Sequence, residues 1–296
     1  MVQLAVDSSS NPSALKLAQN NSIKVIDYTG NSAFGNVLEK LENKTVFTEK
    51  SAINSIIIDS VVDLNSVLEN IIFSVSLYGG QMCTSPQNIF IPEGGIKTPE
   101  RTIGYQETVT LFLEKLQAFY KNPKVGAGTL ATLNNQKTIL HINNFKVINA
   151  TILAKPEKLA YTDFPKANCY THVVIETTSN NMAVIEQENF GPFITIIKTK
   201  GIDESILLAK QNALNNGAIT CLAYCTNQKI KQKIMHEMED AFTPVTFNLT
   251  GYFWVNQHAA FSDFHVSGNN KSGNATFTDA NFINKRFVWL GHREMV

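Results

Sequence analysis

Along the chain, apolar runs of strand length alternate with segments whose apolar residues recur at helical spacing. The stretch that follows Asp63 is a clear case, because six of its apolar residues fall on one helix face: Leu64, Val67, Leu68, Ile71, Ile72 and Val75. Apolar runs of strand length lie at 23–28, 55–59, 88–92, 171–178, 193–199 and 218–225. The alternation predicts an α/β fold with a mostly parallel sheet.

Polar residues and glycines beside these segments predict where helices begin and end. Asp63 can accept hydrogen bonds from the first turn of the helix that follows it, and Gly79-Gly80 is a typical stop signal for that helix. Asp203 is predicted to cap a second helix that ends near Gly217, and Asn227 a third that runs to about Asp240.

A strand, a glycine-containing turn and a helix follow one another near the start of the chain. The strand is predicted over Ile23–Tyr28, the turn over Thr29–Gly35, and the helix from there to about Glu42. Free backbone N–H groups at the start of such a helix can receive a phosphate. This unit is therefore a candidate site for a nucleotide.

Composition narrows the class of protein. The chain has 296 residues, 44% of them hydrophobic, and 25 basic residues balance 25 acidic ones. It therefore carries no charge signature for nucleic acid or an anionic membrane. Its apolar stretches are too short to span a bilayer, and no secretory signal is visible. Four cysteines do not indicate a disulfide framework, and six scattered histidines show no metal-ligand spacing, so we expect a cytoplasmic protein without a metal.

Two residues suggest covalent chemistry. Cys83 follows the Gly79-Gly80 turn in GGQMCTSPQ, and Glu49 stands 34 positions upstream at the end of an apolar run. A thiol on a loop between buried elements can act as a nucleophile, and a carboxylate can activate water for a second step. The residues alone leave alternatives open: a buried small thiol at a helix end, and an exposed glutamate at a strand end.

These motifs, with EQENFGPF at 186–193, resemble the aldehyde dehydrogenase superfamily. The stretch VNQHAAFSDFHVSGNN at 255–270 is similar to the PaaN-like proteins of phenylacetic acid degradation. The resemblance implies that Cys83 attacks an aldehyde and passes a hydride to NAD or NADP. It makes Glu49 the base for hydrolysis of the resulting thioester. The sequence after Glu49 is KSAINS, which departs from the Gly-Gly-Lys of many members but matches the PaaN-like group.

The same resemblance assigns further site residues. Glu188 is implied to hold the nicotinamide ribose, and Phe190 to pack beside the ring. Asn256 is implied to shape the site. Gly30 lies where the family has Thr-Gly-Ser at the start of a phosphate-facing helix; Asn31 replaces that Ser, and Ser32 is adjacent. A turn at Gly191-Pro192 and a packed loop amide at Asn256 are the alternatives that involve no ligand.

The resemblance also implies a domain plan. Residues 1–48 are similar to the end of a Rossmann-type dinucleotide-binding domain, 49–280 to the catalytic domain, and 281–296 to a terminal strand used in oligomerisation. We therefore expect the C-terminal portion of an enzyme with an aldehyde as substrate, and the PaaN-like segment points to a CoA-linked semialdehyde from aromatic ring cleavage. The expected partner is the missing N-terminal half or another copy, and the chain alone should bind cofactor weakly. The alternative is a non-catalytic remnant or assembly module that keeps the fold.

Overall fold

The computed structural model describes residues 2–8, 12–122, 124–253 and 292–295. Its helices are α1 (Ser13–Gln19), α2 (Ser32–Leu38), α3 (Leu64–Ser76), α4 (Tyr105–Lys121), α5 (Val125–Thr129), α6 (Gln136–Asn143), α7 (Met182–Ile185), α8 (Ile202–Asn216) and α9 (Gln228–Asp240). Its strands are β1 (Val25–Thr29), β2 (Thr45–Glu49), β3 (Asn54–Ile58), β4 (Pro86–Pro92), β5 (Ile96–Lys97), β6 (Thr102–Ile103), β7 (Thr151–Ala154), β8 (Lys158–Leu159), β9 (Cys169–Tyr170), β10 (Val173–Thr178), β11 (Phe193–Thr199), β12 (Cys221–Tyr224), β13 (Val245–Phe247) and β14 (His292–Glu294).

An eight-stranded sheet forms the centre of the molecule, in the order β14-β13-β12-β3-β4-β11-β10-β7. Neighbouring strands are parallel except for β7, which runs antiparallel to β10. Helices cover both faces, which is why β3 and β4 read as continuous apolar runs and are buried along their whole length. The predicted α/β fold with a mostly parallel sheet is confirmed.

The alternation of side chains along β3 divides the core in two. Ile56 and Ile58 pack with α3 and α4 on one face of the sheet, whereas Ile57 packs with α8 and α9 on the other. The six helical apolar positions predicted after Asp63 are all buried in the first of these clusters. The central strands are thus fixed from both sides, which makes them a rigid support for the loops at their ends.

The first strands form a separate small sheet. β1 and β2 pair in parallel, with Thr29 opposite Glu49, and the large sheet begins five residues later at Asn54. At the other end of the chain, β14 pairs with β13 at the edge of the large sheet. The division of the chain at 48/49 and the role of 281–296 in assembly stay predictions.

Three predicted helix boundaries differ from the structure. The helix α2, predicted to run to about Glu42, ends at Leu38. The helix α3 begins after the Asp63 cap as predicted, but it ends at Ser76, and a 3-10 turn with left-handed residues leads on to Gly80. The prediction that Asp203 caps α8 is wrong, because the cap position is Gly201. Asp203 therefore lies inside the first turn, and its carboxylate accepts a hydrogen bond from Lys233 on α9 at 2.8 Å.

Within the described part of the chain, no helix has the length and apolarity needed to cross a membrane. The same residues contain no group of three or more His, Cys, Asp or Glu side chains arranged to hold a metal ion.

Candidate active site

The candidate residues come together where the two sheets meet. The Gly30 turn and Glu49 lie at the carboxyl ends of β1 and β2, and the Gly30 N–H donates to the Glu49 carbonyl at 3.0 Å. Cys83 lies just before β4, and the Glu188–Phe190 segment just before β11. Since β4 and β11 are adjacent and parallel, their amino ends share one edge of the large sheet. The site therefore lies between the carboxyl ends of the strands of the small sheet and the amino ends of β4 and β11 in the large sheet.

Left-handed backbone shapes the turn that precedes Cys83. Tyr78, Gly79 and Gly80 all have positive φ. A Cβ on Gly80 would lie 2.2 Å from the carbonyl oxygen of Gly191, so this glycine allows the backbone before the thiol to touch the Gly191-Pro192 turn. The contact joins the GGQMC segment to the ENFGPF segment.

The Cys83 thiol is half-buried and lies beside the carboxylate of Glu49, which is only 8% exposed. Burial raises the pKa of this thiol to about 12, and its interaction with Glu49 adds to the rise. The backbone of Cys83 and Thr84 acts in the opposite direction and lowers the pKa. The predicted nucleophile and base are therefore close enough for one to shift the pKa of the other.

This pairing has a chemical consequence. A thiol with so high a pKa is a poor nucleophile unless a base takes its proton as it reacts. The carboxylate of Glu49 is a candidate for that base, since it lies beside the thiol. Its neighbour Lys50 is held elsewhere, by Glu39 at 3.0 Å. The alternative of an exposed glutamate at a strand end does not hold, because Glu49 is buried.

The Glu188–Phe190 segment lies beside the same loop. The carboxylate of Glu188 accepts from the backbone N–H of Ala52 at 3.2 Å, three residues after Glu49. The ring of Phe190 is 45% exposed. Both residues line a small pocket, which is completed by Ala52, Gly80, Met82, Ser85, Pro86, Gln87, Asn189 and Gly191. A carboxylate and a free aromatic ring thus stand at a pocket next to the thiol.

The turn at Gly30, Asn31 and Ser32 is formed as predicted at the start of α2. The Asn31 side chain caps the helix by accepting from the Phe34 N–H at 3.0 Å. A Cβ on Gly30 would lie 2.4 Å from the Tyr28 hydroxyl, so this glycine makes room for a tyrosine of its own strand. The contact of these three residues with a phosphate stays a prediction.

Two buried amides that the sequence reasoning missed hold the site in place. Gln87 donates to the Gln187 carbonyl at 2.8 Å and accepts from the Asn189 N–H at 2.9 Å, which fixes the backbone around Glu188. Asn54 donates to the carbonyls of Cys83 and Ser85. Each amide stands at the start of a buried apolar strand, where a polar side chain is unusual, and that was the available signal.

The three other cysteines and Asn256 lie outside this pocket or outside the described residues. Cys169, Cys221 and Cys225 are buried within the fold, away from this pocket. Asn256, the candidate for shaping the site, lies outside the described residues.

Comparison with known proteins identifies the family to which this fold and these motifs are similar. A family model described as the aldehyde dehydrogenase family matches residues 4–286. The chain is 23% identical over 205 residues to an alpha-ketoglutaric semialdehyde dehydrogenase of Bacillus subtilis, a match covering 65% of this chain and 39% of that protein. It is 22% identical over 214 residues to a malonate-semialdehyde dehydrogenase of Listeria monocytogenes, covering 68% of this chain and 41% of the relative.

Solved structures of aldehyde dehydrogenases have a similar fold. A crystal structure of an NAD-dependent aldehyde dehydrogenase from Burkholderia multivorans superposes with a TM-score of 0.84 at 33% identity, over 92% of this chain and 49% of that one. The chain thus spans about half the length of that protein, and about two fifths of the curated relatives it matches. The family model covers most of the chain, and the fold agrees with it. This chain belongs to the aldehyde dehydrogenase family.

Proposed function

We propose that the Cys83 site takes part in the NAD- or NADP-dependent oxidation of an aldehyde to a carboxylic acid. The observation that carries this proposal is the proximity of the Cys83 thiol to the buried carboxylate of Glu49. A nucleophile beside a base, on a loop fixed between buried elements, is the arrangement that covalent catalysis requires.

In the first half of the reaction, Glu49 takes the proton of Cys83 as the sulfur forms a bond to the aldehyde carbon. The aldehyde oxygen becomes negatively charged. Return of that charge to a C=O double bond breaks the C–H bond and expels a hydride, which leaves a thioester on Cys83. The N–H groups of Cys83 and Thr84 stabilise the negative charge on sulfur before the attack.

In the second half, Glu49 has released its proton to solvent and acts again as a base. It removes a proton from a water molecule, whose oxygen attacks the thioester carbon. The C–S bond breaks, the acid leaves and the Cys83 thiol is restored. One carboxylate therefore serves both halves, which fits its burial beside the sulfur.

The residues at the small pocket fit a nicotinamide cofactor. Glu188 offers a half-buried carboxylate suited to ribose hydroxyls, and the exposed ring of Phe190 offers a flat apolar surface suited to a heterocycle. Gly30, Asn31 and Ser32 stand near Glu49, where they can face phosphates. A bound nicotinamide cofactor would supply the hydride acceptor.

The proposed substrate is a semialdehyde, in line with the printed names of the two curated relatives. The motif resemblance to PaaN-like proteins favours a CoA-linked semialdehyde from aromatic ring cleavage. For a partner, we propose a polypeptide that supplies the rest of the dinucleotide-binding domain, with another copy of this chain as the alternative. The exposed apolar side chains of Val2, Leu4, Val6 and Val25 are available for such an association.

The test is to trap the acyl enzyme. Glu49→Gln removes the base that activates water, and it also removes the charge that raises the pKa of the Cys83 thiol, so it should form the thioester but hydrolyse it slowly. Incubation with an aldehyde and NAD or NADP should therefore leave an acyl group on the Cys83 peptide, detected by mass spectrometry. The chain should be tested alone and with a polypeptide matching the part of the Burkholderia structure that this chain does not cover. Reduced cofactor should appear as a burst.

Cys83→Ala is the matched control and should give neither adduct nor burst. An acyl group on Cys169, Cys221 or Cys225, or turnover that survives Cys83→Ala, would contradict the nucleophile assignment. Absence of both adduct and burst under all conditions would favour the alternative of a non-catalytic assembly module.

A further inference from the structure

Asn54 connects the loop that carries Cys83 to two strands of the large sheet. Its side-chain nitrogen donates to the Cys83 carbonyl at 2.8 Å and to the Ser85 carbonyl at 3.1 Å. Its side-chain oxygen accepts from the backbone N–H groups of Ile219 at 2.9 Å and Thr220 at 3.1 Å. Asn54 is 1% exposed, so its amide lies fully inside the protein.

No other neutral side chain of similar size supplies this combination. The position requires two donors toward the loop and an acceptor toward the start of β12, and an asparagine carboxamide has both on one rigid plane. Asp lacks the donors and Leu lacks every polar group. A one-residue irregularity in the pairing of β3 with β4 falls between Asn54 and Ser55, where the strand adjusts beside the loop.

The geometry of the peptide unit between Cys83 and Thr84 gives this contact a consequence for the sulfur. This peptide is trans, so its C=O and its N–H point in opposite directions. Asn54 holds the C=O toward the sheet. The N–H of Thr84 must then point away from the sheet, and the backbone of Thr84 lowers the pKa of the Cys83 thiol.

We propose that Asn54 is a positioning residue for the nucleophile: by holding the Cys83 carbonyl, it aims the Thr84 N–H at the sulfur. The proposal rests on the proposed function, since that function makes Cys83 the nucleophile. Asn54 touches neither substrate nor cofactor in this scheme and acts only through the peptide unit. The hydrogen bond at Ser85 fixes the other end of the same loop against rotation.

The test measures the rate of Cys83 alkylation by iodoacetamide as a function of pH, with peptide mapping by mass spectrometry. Because alkylation requires the thiolate, the rate below the pKa falls tenfold for each unit by which the pKa rises. In Asn54→Leu and Asn54→Asp, the rate should fall roughly tenfold at every pH, the size expected when a hydrogen bond to a charged group is lost. This readout needs neither cofactor nor turnover.

Asn70→Leu is the matched control. Asn70 is also a fully buried amide that donates to two backbone carbonyls, those of Gly251 and Phe253, and accepts from the Tyr224 hydroxyl. In urea unfolding, Asn70→Leu should lose about as much stability as Asn54→Leu, but the rate of Cys83 alkylation should have the wild-type dependence on pH. An unchanged or faster rate in folded Asn54→Leu, or an equal fall in Asn70→Leu, would overturn the proposal. Neither outcome bears on the acyl-enzyme test, which can fail or succeed independently.

Discussion

Cys83 and Glu49 place opposing demands on one another. The carboxylate is needed to receive a proton, yet its charge and its hydrogen bond, added to burial, hold the pKa of the thiol at about 12. At neutral pH the thiolate fraction is therefore very small. Such a site protects the sulfur from adventitious oxidation at rest, because the thiolate is the form that oxidants attack. Reactivity then depends on how readily the thiol loses its proton.

Glu49→Gln should consequently make Cys83 more reactive toward iodoacetamide, while it slows deacylation in catalysis. Loss of the carboxylate charge lowers the pKa of the thiol, and each unit increases the thiolate tenfold, so we expect labelling to accelerate severalfold or more. In both proteins Cys83 should be labelled before Cys169, Cys221 and Cys225, which are buried.

The control for this labelling experiment is Glu188→Gln. It makes the same substitution in the same pocket, but Glu188 contacts the Ala52 N–H and not the thiol. Its labelling rate should match the wild type. Slower labelling in Glu49→Gln, or preferential labelling of a buried cysteine, would show that the Glu49–Cys83 pairing does not control the thiol.

Contact between two turns determines how the elements around the site fit together. The turn after α3 and the turn before β11 touch at Gly80 and Gly191, so the thiol loop and the Glu188–Phe190 segment are fixed relative to one another. Gln87, at the start of β4, reinforces this by holding the 187–189 backbone. The position of the proposed cofactor residues therefore depends on the amino ends of two neighbouring strands.

Gly80→Ala should destabilise the protein by about 2–4 kcal/mol, because a Cβ would meet the Gly191 carbonyl at 2.2 Å and because φ at this position is +68°. Urea unfolding measures the change in the free energy of unfolding. Gly94→Ala is the matched control, since a Cβ there meets nothing within 4 Å, and it should change stability by less than about 0.5 kcal/mol. Equal effects of the two substitutions would contradict the close contact.

A buried histidine ties together three elements of the molecule. The His172 ring is fully buried beside β10, stacks on Tyr120 of α4, and contacts the Val75 carbonyl of α3 at 3.2 Å through Nε2. Its Nδ1 lies 2.6 Å from the Tyr120 hydroxyl. With Nε2 donating to Val75 and Nδ1 accepting from Tyr120, the neutral ring satisfies both neighbours. Burial lowers the pKa of His172 to about 4.

This histidine should make the fold less stable in mild acid. The unfolded chain binds a proton at His172 below about pH 6.5, whereas the folded chain resists it until about pH 4. Stability therefore falls as pH drops through that window, by roughly 3 kcal/mol at about 1.4 kcal/mol per unit. In urea unfolding, His172→Gln should not lose this stability as the pH falls. The difference in the free energy of unfolding between wild type and His172→Gln should therefore narrow toward pH 4.

His236→Gln, at an exposed histidine of α9, is the control and should follow the wild-type curve throughout. A gap between wild type and His172→Gln that stays constant from pH 6.5 to pH 4 would contradict the assignment of a neutral buried ring.

Much of the fold could be predicted without coordinates. The run at 193–199 is the strand β11 with the same bounds, and the helical spacing after Asp63 predicted both the helix and its buried face. The motifs were sufficient to indicate the family, which the comparisons confirm. These features depend on neighbours a few positions apart, so the period of the apolar residues and the residue at a cap already contain them.

Other features required the tertiary structure. The Asn54 amide forms hydrogen bonds with groups 29 to 166 residues away in sequence. Gly80 has no side chain because its backbone packs against the Gly191 carbonyl. Asp203 forms an ion pair with Lys233 and does not cap its helix. The thiol's raised pKa likewise follows from burial and from a carboxylate 34 positions upstream. Sequence pattern specifies which elements form and which side chains they carry. Which groups lie within hydrogen-bond distance, and how far water is excluded from them, depends on strand order and register, since these bring distant segments together.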